Sequence, residues 1–288
     1  MEISVIIPAY NEEKAIRNTL LELCSAKELE DAEIIVINDG SSDETSKIVA
    51  EFPRVILLEH RVNKGYGSSI SSGVRIATKP NILWFDADGQ HRVEDLVKVA
   101  RCMVDKNLDY CIGIRDSTSY QESSRKMGKL VLKWAARFTA GQPVRDYNSG
   151  LRGFRREVLQ RYLHLLPKRF GASTLTTILM LERGYTGEEV EISVRKRIGM
   201  SSVKQFRDGV QTLYLLLRLF LLFKPMQFFG SIGVIMILSG LVYGIFRAMR
   251  EHLGIPVLAL LVIIFGIQSL FFGLLSDQIS AIRRERFE

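Results

Sequence analysis

Ile82-Leu83-Trp84-Phe85-Asp86-Ala87-Asp88-Gly89-Gln90-His91 is the stretch on which the fold turns: an apolar strand that runs straight into two carboxylates one residue apart. Four more apolar runs of strand length, Ile3 to Pro8, Glu33 to Asn38, Val55 to Glu59 and Asp109 to Ile114, flank it along the first 114 residues. The segments between them, such as Glu12 to Leu29 and Ser42 to Phe52, carry helical spacing. That alternation predicts βαβ units around a mainly parallel sheet flanked by helices, an α/β fold. Ligands of such sheets sit beyond the carboxyl ends of the strands.

Those ends are polar here. The first strand ends in Pro8-Ala9-Tyr10-Asn11-Glu12, and the second in Asn38-Asp39-Gly40-Ser41-Ser42-Asp43-Glu44-Thr45. Each also has a purely structural explanation: Asn11 as a cap of the first helix, Ser41 with Glu44 as a capping box. Asp39, before Gly40, stands where a base or ribose would be bound. Asp86 and Asp88 with the Gln90 amide form a cluster of hard oxygens, which Mg²⁺ or Mn²⁺ prefers and would bridge to a diphosphate. A divalent ion there would stabilise charge developing on a diphosphate leaving group. The purely structural explanation is a helix N-cap at Asp88 or Gly89.

The other end of the chain is of a different kind. Pro225 to Phe246 and Leu253 to Ser276 contain no charged residue. At 1.5 Å per residue each makes about 33–36 Å of helix, enough to cross a bilayer core of about 30 Å. The link, Arg247 to His252 with Gly254 and Pro256, suits a tight helical hairpin. Arg283, Arg284 and Arg286 in the tail, with Arg218 and Lys224 before the first span, outweigh Arg247 and Arg250 in the link. The positive-inside rule then predicts an integral membrane protein with a cytoplasmic N-domain and C-terminus. Within Phe206 to Phe223, Leu213 to Leu217 and Leu219 to Phe223 are almost wholly apolar with Arg218 between them, and the run reads as an interfacial helix or, failing that, a core helix of the globular domain. No signal-peptide segment is expected at Met1 to Pro8. Cys24, Cys102 and Cys111 have no metal-like spacing and read as buried apolar residues in a reducing compartment.

Net charge is +7 over 288 residues, with a pI near 9.3. No interleaved basic and aromatic stripe points to nucleic acid, so an anionic leaflet or a phosphorylated substrate is the simpler partner. Gly230, Ser231, Gly233, Ser239, Gly240, Gly244, Gly266 and Gly273 allow close helix packing and permit a homo-oligomer without fixing its number.

Taken together, the three strand-end motifs resemble the family 2 glycosyltransferases, specifically the dolichol-phosphate mannose synthase-like group that glycosylates polyprenyl phosphates. The resemblance implies a GT-A fold over residues 1–204, an interfacial helix at 205–224 and a membrane hairpin at 225–288 with spans near 226–247 and 254–276. By motif match it implies that Pro8, Ala9, Tyr10, Glu12, Asp39, Asp86, Ala87 and Arg197 hold the nucleotide of a UDP- or GDP-linked sugar. Asp86, Asp88 and Gln90 would hold the metal, and Asp88, Arg115, Arg125 and Asp146 would be catalytic. Asn63 to Gly73 matches the glycine-containing segment that opens the group's third helix; it is not G-x-G-x-x-G, which disfavours a Rossmann dehydrogenase. Asp146 to Arg155 resembles the D-x-x-S-G-x-R segment near donor sugar and acceptor, and Arg197 to Ser202 the R-x-G-x-S segment that closes over phosphates. Ser202 stands where many relatives have Lys, which leaves the parts of Arg195, Lys196 and Lys204 open. Ala172-Ser173-Thr174 departs from the acidic residue of relatives, so the sugar is not carried over.

A phosphate monoester is largely dianionic at pH 7, with a second pKa near 6, and attacks without a general base. A sugar hydroxyl needs one, for which Asp146 is the candidate. A phosphate acceptor instead needs cations: Arg115 and Arg125 match by position the group's lipid-phosphate contacts, with Lys126 and Lys129 nearby. The expected reaction is metal-dependent inverting transfer from a nucleotide diphosphate sugar to a polyprenyl (dolichyl or undecaprenyl) phosphate. A processive synthase is disfavoured because neither Trp84 nor Trp134 follows Arg, so the Q-x-x-R-W motif does not occur. Two competing functions stay open on the sequence: transfer to a hydroxyl of a glycan or glycolipid, and an inactive membrane scaffold.

Overall fold

The computed structural model describes residues 1–116, 145–146, 149–169, 171–196, 198, 214, 217–218, 221–251 and 254–287. Arg125, Lys126, Lys129, Arg197, Ser202 and Lys204 lie outside the described residues, as does most of the expected interfacial helix. The chain divides into two compact units, Met1–Thr212 and Leu213–Glu288.

In the first unit the strands are β1 (Ile3–Ala9), β2 (Glu33–Asn38), β3 (Val55–Glu59), β4 (Asn81–Trp84), β5 (Tyr110–Arg115), β6 (Arg152–Arg155) and β7 (Gly187–Ile192). They form one sheet in the order β3-β2-β1-β4-β6-β5-β7. Every pair is parallel except those of β6, which runs antiparallel between β4 and β5. Helices α1 (Ile16–Ser25), α2 (Thr45–Ala50), α3 (Tyr66–Ile76), α4 (Val93–Asp105), α5 (Arg156–Arg161) and α6 (Ala172–Glu182) connect them. The central strands β1, β2 and β4 are buried almost throughout, as a parallel sheet covered on both faces requires. Ile3, Val5 and Ile7 of β1 share one core cluster with Leu20 and Leu23 of α1 and Leu96 and Val99 of α4.

Five strands match the apolar runs to within a residue or two; β6 and β7 are additional. The first helices are shorter than their spacing suggests. Asn11 does not cap α1: it sits at φ +54° and its side-chain oxygen accepts the Ser42 N–H, while α1 begins at Ile16 without a side-chain cap. Nor do Ser41 and Glu44 form a capping box, since the Ser41 hydroxyl accepts the Asn11 N–H. Both motifs are drawn instead into cross-bracing of the β1–α1 and β2–α2 loops. Glu12 N–H donates to Thr45 Oγ1 at 2.9 Å and Glu13 N–H to Asp43 at 3.1 Å.

In the second unit, α7 (Pro225–Glu251) and α8 (Val257–Phe287) are joined through Gly254-Ile255-Pro256. Their apolar stretches, 225–250 and 257–282, have mean hydropathies of 2.1 and 2.6. Small residues carry the hairpin's own packing. A Cβ on Gly233 would lie 2.7 Å from the Gly266 carbonyl oxygen, and one on Gly266 2.8 Å from that of Gly233. A Cβ on Gly240 would lie 3.0 Å from the Ala259 carbonyl oxygen and one on Gly244 3.1 Å from the Ala259 Cβ, and Ser269 Oγ donates to Phe229 O at 2.9 Å. Val242, Met249 and Phe271 are among the large apolar side chains left exposed.

Candidate active site

The carboxyl ends of β1, β2, β4 and β5 meet at one edge of the sheet, and the polar loops read from the sequence gather there. On β1, Pro8 and Ala9 pair with Ile37 and Asn38, the Ala9 carbonyl accepts the Asp39 N–H at 2.8 Å, and Tyr10 projects beyond the strand, exposed. Asp39 is buried and holds a loop: Oδ1 accepts Lys64 N–H at 2.9 Å and Oδ2 accepts Gly65 N–H at 2.7 Å. His60 Nδ1 lies 2.7 Å from Oδ1, and its Nε2 lies 2.9 Å from Ser72 Oγ on α3. Asp39 therefore fixes the start of α3, a role the sequence does not announce because His60 and Lys64 are over 20 residues away.

The start of α3 is also not a free phosphate cradle. The Gly67 and Ser68 N–H groups donate to the Arg169 and Lys168 carbonyls at 3.2 and 2.9 Å. Gly65 stands at φ +97°, and a Cβ there would strike the Lys168 carbonyl and the Arg169 side chain.

Asp86 and Asp88 follow β4. Asp86 Oδ1 accepts the Tyr66 hydroxyl at 3.2 Å, and Oδ2 lies 3.4 Å from His91 Nε2. Burial, then the Asp86 carboxylate, push the Tyr66 phenol well above its ordinary pKa, so it remains a donor. Asp88 is buried; its Oδ1 accepts the Gln90 N–H at 3.1 Å, with Gly89 at φ +72°. Asp88 and Gly89 are not the helix cap, because α4 begins only at Val93, with Arg92 preceding it. After β7 the chain runs along this loop: Arg195 N–H donates to Gln90 O at 2.8 Å, and Ile198 N–H to Asp88 O at 3.1 Å. Gln90 Nε2 faces the Arg195 carbonyl at 3.5 Å.

Among the described residues no three His, Cys, Asp or Glu side chains converge as an all-protein metal cage. Two carboxylates one residue apart in the chain, just beyond β4, nevertheless fit Mg²⁺ or Mn²⁺, which commonly takes one or two carboxylates and completes its shell with substrate phosphates and water.

At the end of β5, Arg115 and Asp146 form a bidentate ion pair, Nε–Oδ2 2.5 Å and Nη2–Oδ1 2.9 Å, which raises the guanidinium pKa. The segment resembling D-x-x-S-G-x-R explains itself residue by residue. Asp146 grips Arg115. Gly150 leaves room for the site, since a Cβ on it would sit 1.9 Å from Asp86 Oδ2 and 3.0 Å from His91 Nε2. Arg152, fully buried on β6, donates to Ser149 O, Ser173 O, Thr176 Oγ1 and Thr177 Oγ1 and lies 5.7 Å from the Trp84 ring centroid. It thus anchors the segment to the N-terminal turn of α6. Burial lowers its pKa to about 10, so it remains charged at neutral pH.

With this geometry in view, the comparisons with known proteins decide the family. Residues 4–163, more than half of the chain, match the glycosyl transferase family 2. The chain belongs to that family. Residues 224–282 match the GtrB C-terminal hairpin. Similar proteins include UDP-N-acetylglucosamine–dolichyl-phosphate N-acetylglucosaminyltransferase of Methanococcus voltae, 32% identical over 55% of this chain and 71% of that one. Undecaprenyl-phosphate 4-deoxy-4-formamido-L-arabinose transferase of Sodalis glossinidius is 26% identical over 98% of this chain and 89% of that one. Among solved structures, glucosyl-3-phosphoglycerate synthase from Mycobacterium tuberculosis, in complex with Mn²⁺, UDP-glucose and phosphoglyceric acid, has the same fold. It superposes with a TM-score of 0.59 at 19% identity, covering 76% of this chain and 78% of that one. This family 2 member is a glycosyltransferase with a GT-A fold and a C-terminal pair of apolar helices.

Proposed function

We propose that this glycosyltransferase moves a sugar from a nucleoside diphosphate sugar, UDP-linked or GDP-linked, to a polyprenyl phosphate. The supporting observation is the Arg115–Asp146 ion pair at the end of β5, in a chain that also carries the hairpin. A guanidinium at this edge suits a phosphate acceptor, which brings its own negative nucleophile and needs positioning. Both Asp146 oxygens accept from Arg115, so its geometry favours holding Arg115 over taking a proton from a hydroxyl. The names of the relatives, which transfer to dolichyl and undecaprenyl phosphate, support the same acceptor class.

On this reading Pro8, Ala9, Tyr10, Glu12, Asp39, Ala87 and Arg197 surround the nucleotide, with Asp39 acting largely through the loop it holds. Asp86, Asp88 and Gln90 would hold Mg²⁺ or Mn²⁺, which, when bound, offsets charge developing on the leaving diphosphate. Arg115, and Arg125 by motif, orient the acceptor phosphate. Its oxygen forms the new bond to the anomeric carbon as the bond to the diphosphate breaks, so a single in-line displacement inverts that centre. Residues 1–204 form the transferase domain, 205–224 an interfacial helix and 225–288 a membrane hairpin, with catalytic domain and tail cytoplasmic.

The test incubates full-length protein in detergent with Mg²⁺ or Mn²⁺, a polyprenyl phosphate and a panel of UDP- and GDP-sugars. Metal-dependent release of nucleoside diphosphate with a glycosyl-phosphate lipid in the mass spectrum is expected, and both should vanish in Asp88→Ala. Binding of a donor without any lipid product overturns the acceptor assignment.

A further inference from the structure

We propose that Tyr66 and His91 are positioning residues that hold the Asp86 carboxylate from its two sides, in the orientation in which it meets the cation and diphosphate. The inference rests on the metal-site reading above and assigns it two supports that carry none of its chemistry.

His91 holds one side of the carboxylate. Its ring is 6% exposed, packed 5.9 Å from the Phe85 ring, and its Nδ1 has no hydrogen-bond partner among the described residues. A buried polar atom left bare is unfavourable, so a histidine in this place needs a compensating role. The polar group that its other nitrogen faces is Asp86 Oδ2, at 3.4 Å. Gly150 passes on the same side with no side chain, and any Cβ there would displace both groups.

Tyr66 holds the other side. Its hydroxyl donates to Asp86 Oδ1, and its backbone sits in the first turn of α3. That turn is fixed by the Asp39 carboxylate on Lys64 and Gly65 and by the Lys168 and Arg169 carbonyls on Ser68 and Gly67. Asp39 at the end of β2 thereby acts on Asp86 at the end of β4, through one helix turn and one phenol. Asp86 has a quarter of its side chain exposed, and contacts on both carboxylate oxygens narrow the rotamers open to it. Partners that orient a metal-binding carboxylate are typically worth about 10–100-fold in metal affinity.

The experiment measures Mn²⁺ binding by electron paramagnetic resonance on full-length protein in detergent, with UDP present and GDP in parallel. The variants are His91→Ala, His91→Gln and Tyr66→Phe. His91→Ala and Tyr66→Phe should each raise the Mn²⁺ Kd about tenfold while the acceptor KM stays unchanged. His91→Gln, whose amide nitrogen reaches the same oxygen, should recover most of the affinity. Lowered thermal stability with an unchanged Mn²⁺ Kd in both would assign these residues to packing and overturn the inference, as would equal losses in His91→Ala and His91→Gln. Wild-type protein that binds no Mn²⁺ with either nucleotide would overturn the metal-site reading itself, a separate result.

Discussion

Gly150→Ala adds a single methyl group, and the structure says where it must go. The new Cβ would stand 1.9 Å from Asp86 Oδ2, 2.7 Å from Asp86 Cγ and 3.0 Å from His91 Nε2. Carbon and carboxylate oxygen do not approach within about 3 Å, so one of them must yield by roughly 1 Å. Backbone on the Gly150 side is held by the Arg152 guanidinium on Ser149 O, at 2.9 and 2.7 Å. The Asp86 carboxylate is therefore the part that moves. Overpacking of this kind costs about 1–3 kcal/mol of stability. A 1 Å misplacement of a catalytic group costs about 100-fold in rate, or about 2.7 kcal/mol of transition-state stabilisation. The assay compares kcat/KM and thermal midpoint of Gly150→Ala with those of Gly230→Ala, whose Cβ would meet nothing nearer than Met226 Cε at 3.7 Å. Gly150→Ala should lose about two orders of magnitude in kcat/KM with a modest drop in midpoint, and Gly230→Ala should be silent. A Gly150→Ala enzyme within threefold of wild type would refute the claim that this segment is pressed against Asp86.

Arg115→Ala and Asp146→Asn should each raise the acceptor KM about tenfold or more, consistent with about 1.5–3 kcal/mol for a charge-assisted hydrogen bond, while donor binding persists. The double variant should be little worse than either single one, and full additivity in steady-state kinetics would separate the two residues. Arg152→Met removes a buried cation that ties β6 to α6. It should lower the thermal midpoint by several degrees, because the Ser149 and Ser173 carbonyls lose their donor; an unchanged midpoint would contradict that anchoring role. Gly233→Leu should destabilise the hairpin by about 1–3 kcal/mol through its clash with the Gly266 carbonyl. Loss of thermal stability in detergent would register it, and unaltered stability would rule out the close helix crossing.

The sequence exposes the parts of this fold whose physics is local. β1 through β5 are runs of branched apolar residues bounded by polar loops, and they lie almost where that pattern puts them. β6 escapes notice because Arg152 and Gly153 interrupt its apolar character, although both are buried. β7, with Glu188, Glu189 and Glu191, has the charged composition of a sheet edge. The carboxylates at the strand ends stand out as motifs, yet their partners do not. Asp39 with His60, Asp86 with Tyr66, and Arg115 with Asp146 are pairs that only the folded sheet brings together. The capping signals at Asn11 and Ser41 mislead for the same reason, since each finds a better partner on the neighbouring loop. The small residues of the spans, open to an intermolecular reading in one dimension, are used at five positions inside the hairpin itself.

The central claim is that the attacking group is a lipid phosphate, and a direct competition tests it. Full-length enzyme receives an equimolar mixture of undecaprenyl phosphate and undecaprenol, with Mn²⁺ and its preferred nucleotide sugar, and mass spectrometry counts the products. Glycosylation confined to the phosphate, with wild-type Arg115 required for it, is the predicted result. Comparable glycosylation of the free alcohol would contradict the account and return Asp146 to consideration as a general base.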